Sequence, residues 1–280
     1  MTGHPYTIAD VFTETALAGN PVAVFVSAEN IPGERMQRIA RELNLSETVF
    51  VLPGDDAADV RVRIFTPVNE LPFAGHPTMG TAIVLGATRP GATLTMGTRQ
   101  GVIPFAFDRV DGRIVSATMR QPIPSWVPYE HAGALLSALG VTGSVTAVDA
   151  YRNGPRHVLV GFPGIDELTA VRPDLTALAA LPDMAAICFA GSGTQWRMRM
   201  FSPAYGVTED AGTGSAAGPL AIHLIRHGLL RHGEWIEIRQ GVEMNRPSLM
   251  WAAAHGSGDR FDLVELRGSA VVVGRGELFI

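Results

Sequence analysis

The chain has 280 residues, 46% of them hydrophobic and 18% charged, with a net charge of −5, enough to bury one large core or two smaller ones. All 22 basic side chains are arginine, scattered in ones and twos, which excludes a basic nucleic-acid surface, a lysine Schiff base and a Walker loop together. One cysteine excludes an internal disulfide, and no apolar run is long enough to cross a bilayer, so the composition predicts a cytoplasmic protein without membrane or nucleic-acid partners.

In chain order, residues 6–12 and 21–26 read as strands, the second introduced by the turn Ala18-Gly19-Asn20-Pro21. The spacing of Met36, Ile39, Ala40 and Leu43 predicts a helix over 32–43. Residues 45–52 form a strand apolar on both faces, which predicts a place between layers. Residues 78–87 are rich in Ala, Leu and Ile with few charges, and predict a helix enclosed on most sides. Three prolines within 121–128 predict a linker that continues neither strand nor helix. Beyond it come a strand (157–161), a helix (174–181), strands (185–190 and 196–202), a second enclosed helix (215–229) and a closing strand (270–274).

The order repeats because the chain does. Residues 61–80 return in altered form at 197–217, with Val62-Arg63-Ile64-Phe65-Thr66-Pro67 matching Met198-Arg199-Met200-Phe201-Ser202-Pro203. Allowing one extra residue in the second loop pairs Ala74-Gly75-His76 with Ala211-Gly212-Thr213. Two diverged copies of one unit predict two lobes, each a helix wrapped by sheet.

Three places carry chemistry. Glu47 opens the sandwiched strand and shares a face with Val49 and Val51, because side chains alternate. A carboxyl on an apolar wall has its charged form disfavoured, so its pKa rises toward the range of a proton shuttle. A glutamate just outside the sheet, in water, is the competing reading. The aligned position in the second copy is Ala186, so only one half carries this acid. His76 stands at the start of the first enclosed helix, where free amides form an anion site and the positive helix end keeps an imidazole neutral; a simple cap is the alternative. Asp210 precedes the second enclosed helix beside Thr213, Gly214 and Ser215, and could equally serve as an N-terminal charge.

Other candidates are weaker. His223 and His227 lie one turn apart but lack the glutamate of a zinc-protease motif. Gly191-Ser192-Gly193-Thr194 reads as a plain loop, Ser215 lacks a Gly-x-Ser-x-Gly elbow, and Cys188 sits in an apolar strand as a packed thiol.

Five separated segments resemble one family in family order: Asp10-Val11-Phe12 with Gly19-Asn20-Pro21; Leu45-Ser46-Glu47-Thr48; Phe73-Ala74-Gly75-His76-Pro77-Thr78-Met79-Gly80-Thr81; Phe201-Ser202-Pro203 through Ser215; and Arg239-Gln240-Gly241 with Arg246-Pro247-Ser248. The chain resembles the PhzF family of phenazine-biosynthesis-type isomerases, which are similar in fold to diaminopimelate epimerase. The resemblance implies an α+β fold of two pseudo-symmetric lobes, each a mostly antiparallel, barrel-like sheet around a central helix. The last strand returns to the first lobe, which gives lobes at 1–124 plus 266–280 and at 125–265.

It also implies a homodimer with no cofactor and no metal, and a small carboxylate substrate in the cleft between lobes. Glu47 would move a proton between carbons of trans-2,3-dihydro-3-hydroxyanthranilate, and His76, Asp210 and Ser215 would bind substrate and help relay protons. Gly75, Pro77, Thr213 and Gly214 complete the substrate-binding positions at the two helix starts.

Related epimerases and proline racemases use a thiol from each lobe; the alignment puts Ala74 and Ala211 there, so two-thiol racemisation is excluded. Asp-Ala-Gly-Thr-Gly-Ser departs from the family's usual Asp-Pro-Ala-Thr-Gly-Ser, and Asn245 stands where glycine is common. The expected function is a cofactor-independent isomerase; an acid/base hydrolase or eliminase and a non-catalytic ligand-binding member are the alternatives.

Overall fold

A computed structural model describes residues 2–280. The first half runs β1 (Gly3–Val11), β2 (Asn20–Phe25), α1 (Gly33–Leu43), β3 (Glu47–Pro53), β4 (Val60–Phe65), β5 (Glu70–Leu71), α2 (Gly75–Gly86), β6 (Thr93–Thr98), β7 (Gly101–Val110) and β8 (Arg113–Arg120). The second runs β9 (Ser125–Pro128), α3 (Ala132–Leu139), β10 (Asp149–Arg152), β11 (Arg156–Gly161), α4 (Ile165–Ala170), α5 (Leu175–Ala179), β12 (Ala185–Ser192), β13 (Gln195–Ser202), β14 (Val207–Asp210), α6 (Gly214–Arg226), β15 (Ile236–Gln240), β16 (Ser248–Ser257) and β17 (Arg260–Gly268). Last comes β18 (Ala270–Phe279), which returns to pair antiparallel with β1, as β9 pairs with β10.

The halves are woven alike. In the first, β2–β3 and β4–β6 are parallel and the other neighbours antiparallel. In the second, β11–β12 and β13–β15 are the parallel pairs. Strands β8 and β17 pair antiparallel and join the two sheets into one.

Each sheet wraps a helix that has no polar face to offer water. Every residue of α2 except Val84 is buried, as is every residue of α6 from Gly214 to Leu224. A helix apolar all round must be enclosed, and one continuous core joins both helices to the inner sheet faces. Helix α1 is amphipathic instead: Met36, Ile39 and Ala40 cover the outer face of the first sheet, and the helix ends on Asn44 in the left-handed conformation. Helices α3 to α5 cover the outer face of the second sheet in the same way.

Two expectations change. Residues 125–128, expected as linker, form β9; it is an edge strand bonded only to β10, so Pro128 forfeits no ladder bond on a free side. Strand β17 continues unbroken through Gly268, so the expected boundary at 265/266 falls inside it, and the closing strand extends to Phe279 rather than residue 274.

Candidate active site

The strand registers fix which residues of the two halves are equivalent. Thr48 lies opposite Phe65 and Ala186 opposite Phe201, so the counterpart of Glu47 is Ala185 rather than Ala186. The distinction matters because a one-residue slip moves a side chain to the other face of the sheet. Leu71 pairs with Ile64 and Asp210 with Met200, so the second loop carries three extra residues, and Asp210 is the counterpart of Leu71.

The helix starts agree with this offset. A methyl group on Gly75 would stand 2.2 Å from the amide nitrogen of Ser215, and one on Gly214 would stand 3.1 Å from that of His76. That reciprocal contact makes Gly75 equivalent to Gly214 and His76 to Ser215, two places away from the one-insertion alignment. The counterpart of Ala74 is therefore Thr213, not Ala211. The two helices meet start to start, and only glycine lets the backbones approach so closely.

The contact forms the floor of a cleft of about 220 Å³ between the halves. Glu47, His76, Asp210 and Ser215 reach it from four elements, with Gly75, Thr213 and Gly214 in its wall. Pro77 does not line it. The ring is buried in the first turn of α2 and has no N–H to present, so the expected contact with substrate fails at this residue.

Glu47 keeps 14% of its side-chain surface accessible on a strand whose next same-face residues, Val49 and Val51, belong to the core. Burial raises its pKa well above the usual carboxylate value, and the nearby Asp210 charge raises it further. Its Oε2 lies 3.2 Å from His76 Nδ1, without a completed hydrogen bond to any described residue. His76 is 3% exposed, and burial lowers its pKa to about 4, against the opposing pull of Asp210.

The tautomer of His76 follows from its surroundings. Nε2 lies 3.3 Å from the carbonyl of Pro21, which can only accept, so Nε2 carries the proton and Nδ1 offers a lone pair. Asn20 Nδ2 approaches Nδ1 at 3.3 Å, but its two hydrogens are better placed for Asp210 Oδ1 at 2.8 Å and the Gly212 carbonyl at 3.0 Å. The lone pair of His76 is thus directed at Glu47, ready to accept a hydrogen bond from its protonated carboxyl.

Asp210 is fixed by three donors. Oδ1 accepts from Asn20 and, at 3.2 Å, from Ser46 Oγ; Oδ2 accepts from Thr213 Oγ1 at 2.6 Å. Gln240 closes the turn: its Nε2 donates to the Asp210 carbonyl and to Thr213 Oγ1, and its Oε1 accepts from the Thr213 amide. Asn20 and Gln240 lie within the motifs that carry the resemblance, yet only their contacts reveal them as the clamps of the Asp210 turn. On the far wall, Ser215 Oγ lies 3.1 Å from Nε2 of His157, a residue absent from the sequence-level candidates. Its signal was the register: His157 aligns with Val22, a polar residue where the other copy has an apolar one.

Each of these positions is polar or charged in one copy and apolar in the other: Glu47 against Ala185, Asp210 against Leu71, His157 against Val22. The cleft lies between the duplicated halves, and its two central acids, Glu47 from the first copy and Asp210 from the second, each lack an acidic counterpart in the other copy.

The remaining candidates have other duties. Cys188 is fully buried, and burial pushes its thiol up to about 12, so it supplies no thiolate. His223 and His227 do meet Asp149 within 4.8 Å. Both ring nitrogens of His223 are engaged, by Tyr151 at 3.1 Å and Thr146 at 2.9 Å, while the Arg226 guanidinium holds Asp149 at 2.9 Å. An arginine already stands where a cation would.

A duplicated sheet-wrapped helix, and a cleft with one carboxyl facing an imidazole where thiols are missing, define a variant of the diaminopimelate epimerase-like fold. Residues 9–276 match the family model PhzC-PhzF, phenazine biosynthesis-like protein, and the chain belongs to that family. It is 54% identical to the trans-2,3-dihydro-3-hydroxyanthranilate isomerase of Pseudomonas aeruginosa over 99% of this chain and 100% of that protein. A PhzF-family phenazine biosynthesis protein from Bacillus anthracis superposes with a TM-score of 0.84 over the full length of both chains at 24% identity. A hydroxyproline epimerase from Agrobacterium vitis shares the fold at a TM-score of 0.67 and 13% identity, over 99% of this chain and 91% of that one.

Proposed function

We propose that the protein is a cofactor-independent isomerase that moves a proton between carbons of trans-2,3-dihydro-3-hydroxyanthranilate. The observation that carries this reading is the Glu47–His76 pair facing Asp210 and Ser215 across the cleft floor, in a chain 54% identical to an isomerase of that name.

Glu47, as carboxylate, removes a carbon-bound proton from the ring. Its pKa, raised by burial and by the Asp210 charge, makes the carboxylate a stronger base than a solvated glutamate. The charge left behind spreads through the conjugated ring toward the substrate carboxylate. The starts of α2 and α6, with their free amides and positive dipole ends, stabilise that charge. Protonated Glu47 is held by the His76 lone pair, then returns its proton to a different carbon on the same face, and the product settles as a ketone tautomer. Proton transfer breaks one C–H bond and forms another, and ketonisation of the resulting enol then breaks its O–H bond and forms a second C–H bond, so mass is unchanged.

The test is incubation of the purified chain with that substrate in deuterated water. A product of substrate mass, apart from deuterium at the carbons protonated during transfer and ketonisation, supports isomerisation; loss or gain of water supports an eliminase or a hydrolase. The family resemblance further supports a cytoplasmic homodimer of two-lobed subunits, with lobes at 1–124 plus 269–280 and at 125–268 once the second boundary is set at the end of β17. Sedimentation of the purified chain tests the dimer. No described helix is long and apolar enough to cross a membrane.

A further inference from the structure

We propose that His157 is a positioning residue for Ser215: its Nε2–H donates to Ser215 Oγ and thereby turns the serine proton into the cleft, toward the substrate carboxylate. The inference deepens the isomerase reading and rests on it for the identity of the carboxylate.

His157 is 1% exposed at the start of β11, and the only hydrogen bond of its ring among the described residues is the 3.1 Å contact with Ser215. The other ring nitrogen, Nδ1, is buried without a partner. Two neutral tautomers are available. With the proton on Nδ1, a buried N–H goes unpaired and Ser215 must donate to Nε2, which withdraws its proton from the cleft. With the proton on Nε2, the ring's only donor is satisfied and the unpaired atom is merely an acceptor. Orphaned buried N–H groups are the rarer and costlier of the two, so the second tautomer prevails. Double protonation does not compete, because burial, and secondarily Arg152, lowers the His157 pKa to about 3.

Ser215 is otherwise immobile. Its carbonyl accepts from Asn153 Nδ2 at 2.9 Å, and its amide nitrogen faces Gly75 across the helix contact. Only the hydroxyl rotor is free, and His157 decides where it points. The position is private to this half, since its counterpart is Val22 and the counterpart of Ser215 is His76.

The test compares two amides. His157→Gln places an N–H near the Nε2 position and can still donate to Ser215. His157→Asn reaches only the Nδ1 position and cannot. The helix-start amides take up the charge that develops, while the hydroxyl holds a carboxylate already charged before the proton moves, so its loss falls on KM more than on kcat. His157→Asn therefore raises KM about tenfold with kcat within about twofold, His157→Gln restores KM to within about threefold, and Ser215→Ala raises KM about tenfold. The double variant His157→Asn with Ser215→Ala is no worse than Ser215→Ala alone. Equal KM values for the Asn and Gln variants, or additive effects in the double variant, overturn the proposal. Ser215→Ala removes only an oxygen, so an unchanged KM there refutes the idea even where a histidine variant does not fold. Should the wild-type chain leave the named substrate unchanged, the functional reading fails on its own. Dissociation constants for 2-aminobenzoate, an aromatic carboxylate that cannot isomerise, then judge the same ratios. A wild-type chain that does not hold 2-aminobenzoate overturns the proposal too.

Discussion

Replacing Glu47 with glutamine separates proton transfer from binding more cleanly than any other single change here. Glutamine keeps the shape of the side chain, and its N–H can donate to the His76 lone pair that Glu47 faces at 3.2 Å. Ground-state geometry is therefore retained, and KM stays within about threefold. The proton carrier is gone, and removal of a positioned acid-base costs about 10²–10⁴ in kcat.

Stability moves the other way. Glu47 has a folded pKa raised above its ordinary 4.5, so the folded chain binds more protons than the unfolded one and loses stability as pH climbs from 4.5 to that raised value. Glu47→Gln escapes this loss: it is more stable than wild type at pH 8, and the gap closes near pH 4. Steady-state kinetics with thermal melts at both pH values measures the two effects. Wild-type kcat/KM also has an acid limb whose apparent pKa exceeds 4.5, absent from any residual activity of the variant. A variant that keeps more than a tenth of wild-type kcat, or one less stable at pH 8 than wild type, refutes the assignment of a buried, charge-disfavoured base.

The buried imidazoles make the protein acid-labile. His157, lowered from 6.5 to about 3, stays neutral in the folded state while it protonates in the unfolded chain, so its share of stability is whole above pH 6.5 and drains as pH falls toward 3. Near pH 5 the loss is about 2 kcal/mol, so denaturant titrations show His157→Gln gaining about that much relative to wild type between pH 7.5 and pH 5. Gly75→Ala and Gly212→Ala part company. The added carbon at 75 meets the Ser215 backbone at 2.2 Å and costs about 3 kcal/mol with loss of activity, read by melting and turnover. At 212 it meets Ser248 Oγ at 2.6 Å, an unbonded hydroxyl that can rotate away, and the Phe12 ring and Ser248 Cβ at 3.1 and 3.2 Å, which need shift only by tenths of an ångström, so Gly212→Ala costs about 1 kcal/mol, less than Gly75→Ala. Gln240→Leu strands the Thr213 amide and the Asp210 carbonyl, and lowers stability by about 2–4 kcal/mol with a fall in kcat/KM, measured by the same assays.

Much of this protein was legible before folding. Hydrophobic periodicity marked α1, and the uniformly apolar stretches that became α2 and α6 announced helices that had to be wrapped. The repeat exposed the duplication, and the face shared by Glu47, Val49 and Val51 placed a carboxyl against apolar residues, because strand alternation is a local property.

Only tertiary structure could count the residues in the second loop, since insertions there change no local pattern. It moved the counterpart of Glu47 to Ala185 and that of His76 to Ser215. It also made proline-bearing residues 125–128 an edge strand, because a partner on one side suffices where no ladder bond is demanded on the other. His157, Asn20 and Gln240 act through hydrogen bonds spanning from 27 to 192 positions along the chain, and contacts of that reach exist only once both sheets have closed around their helices.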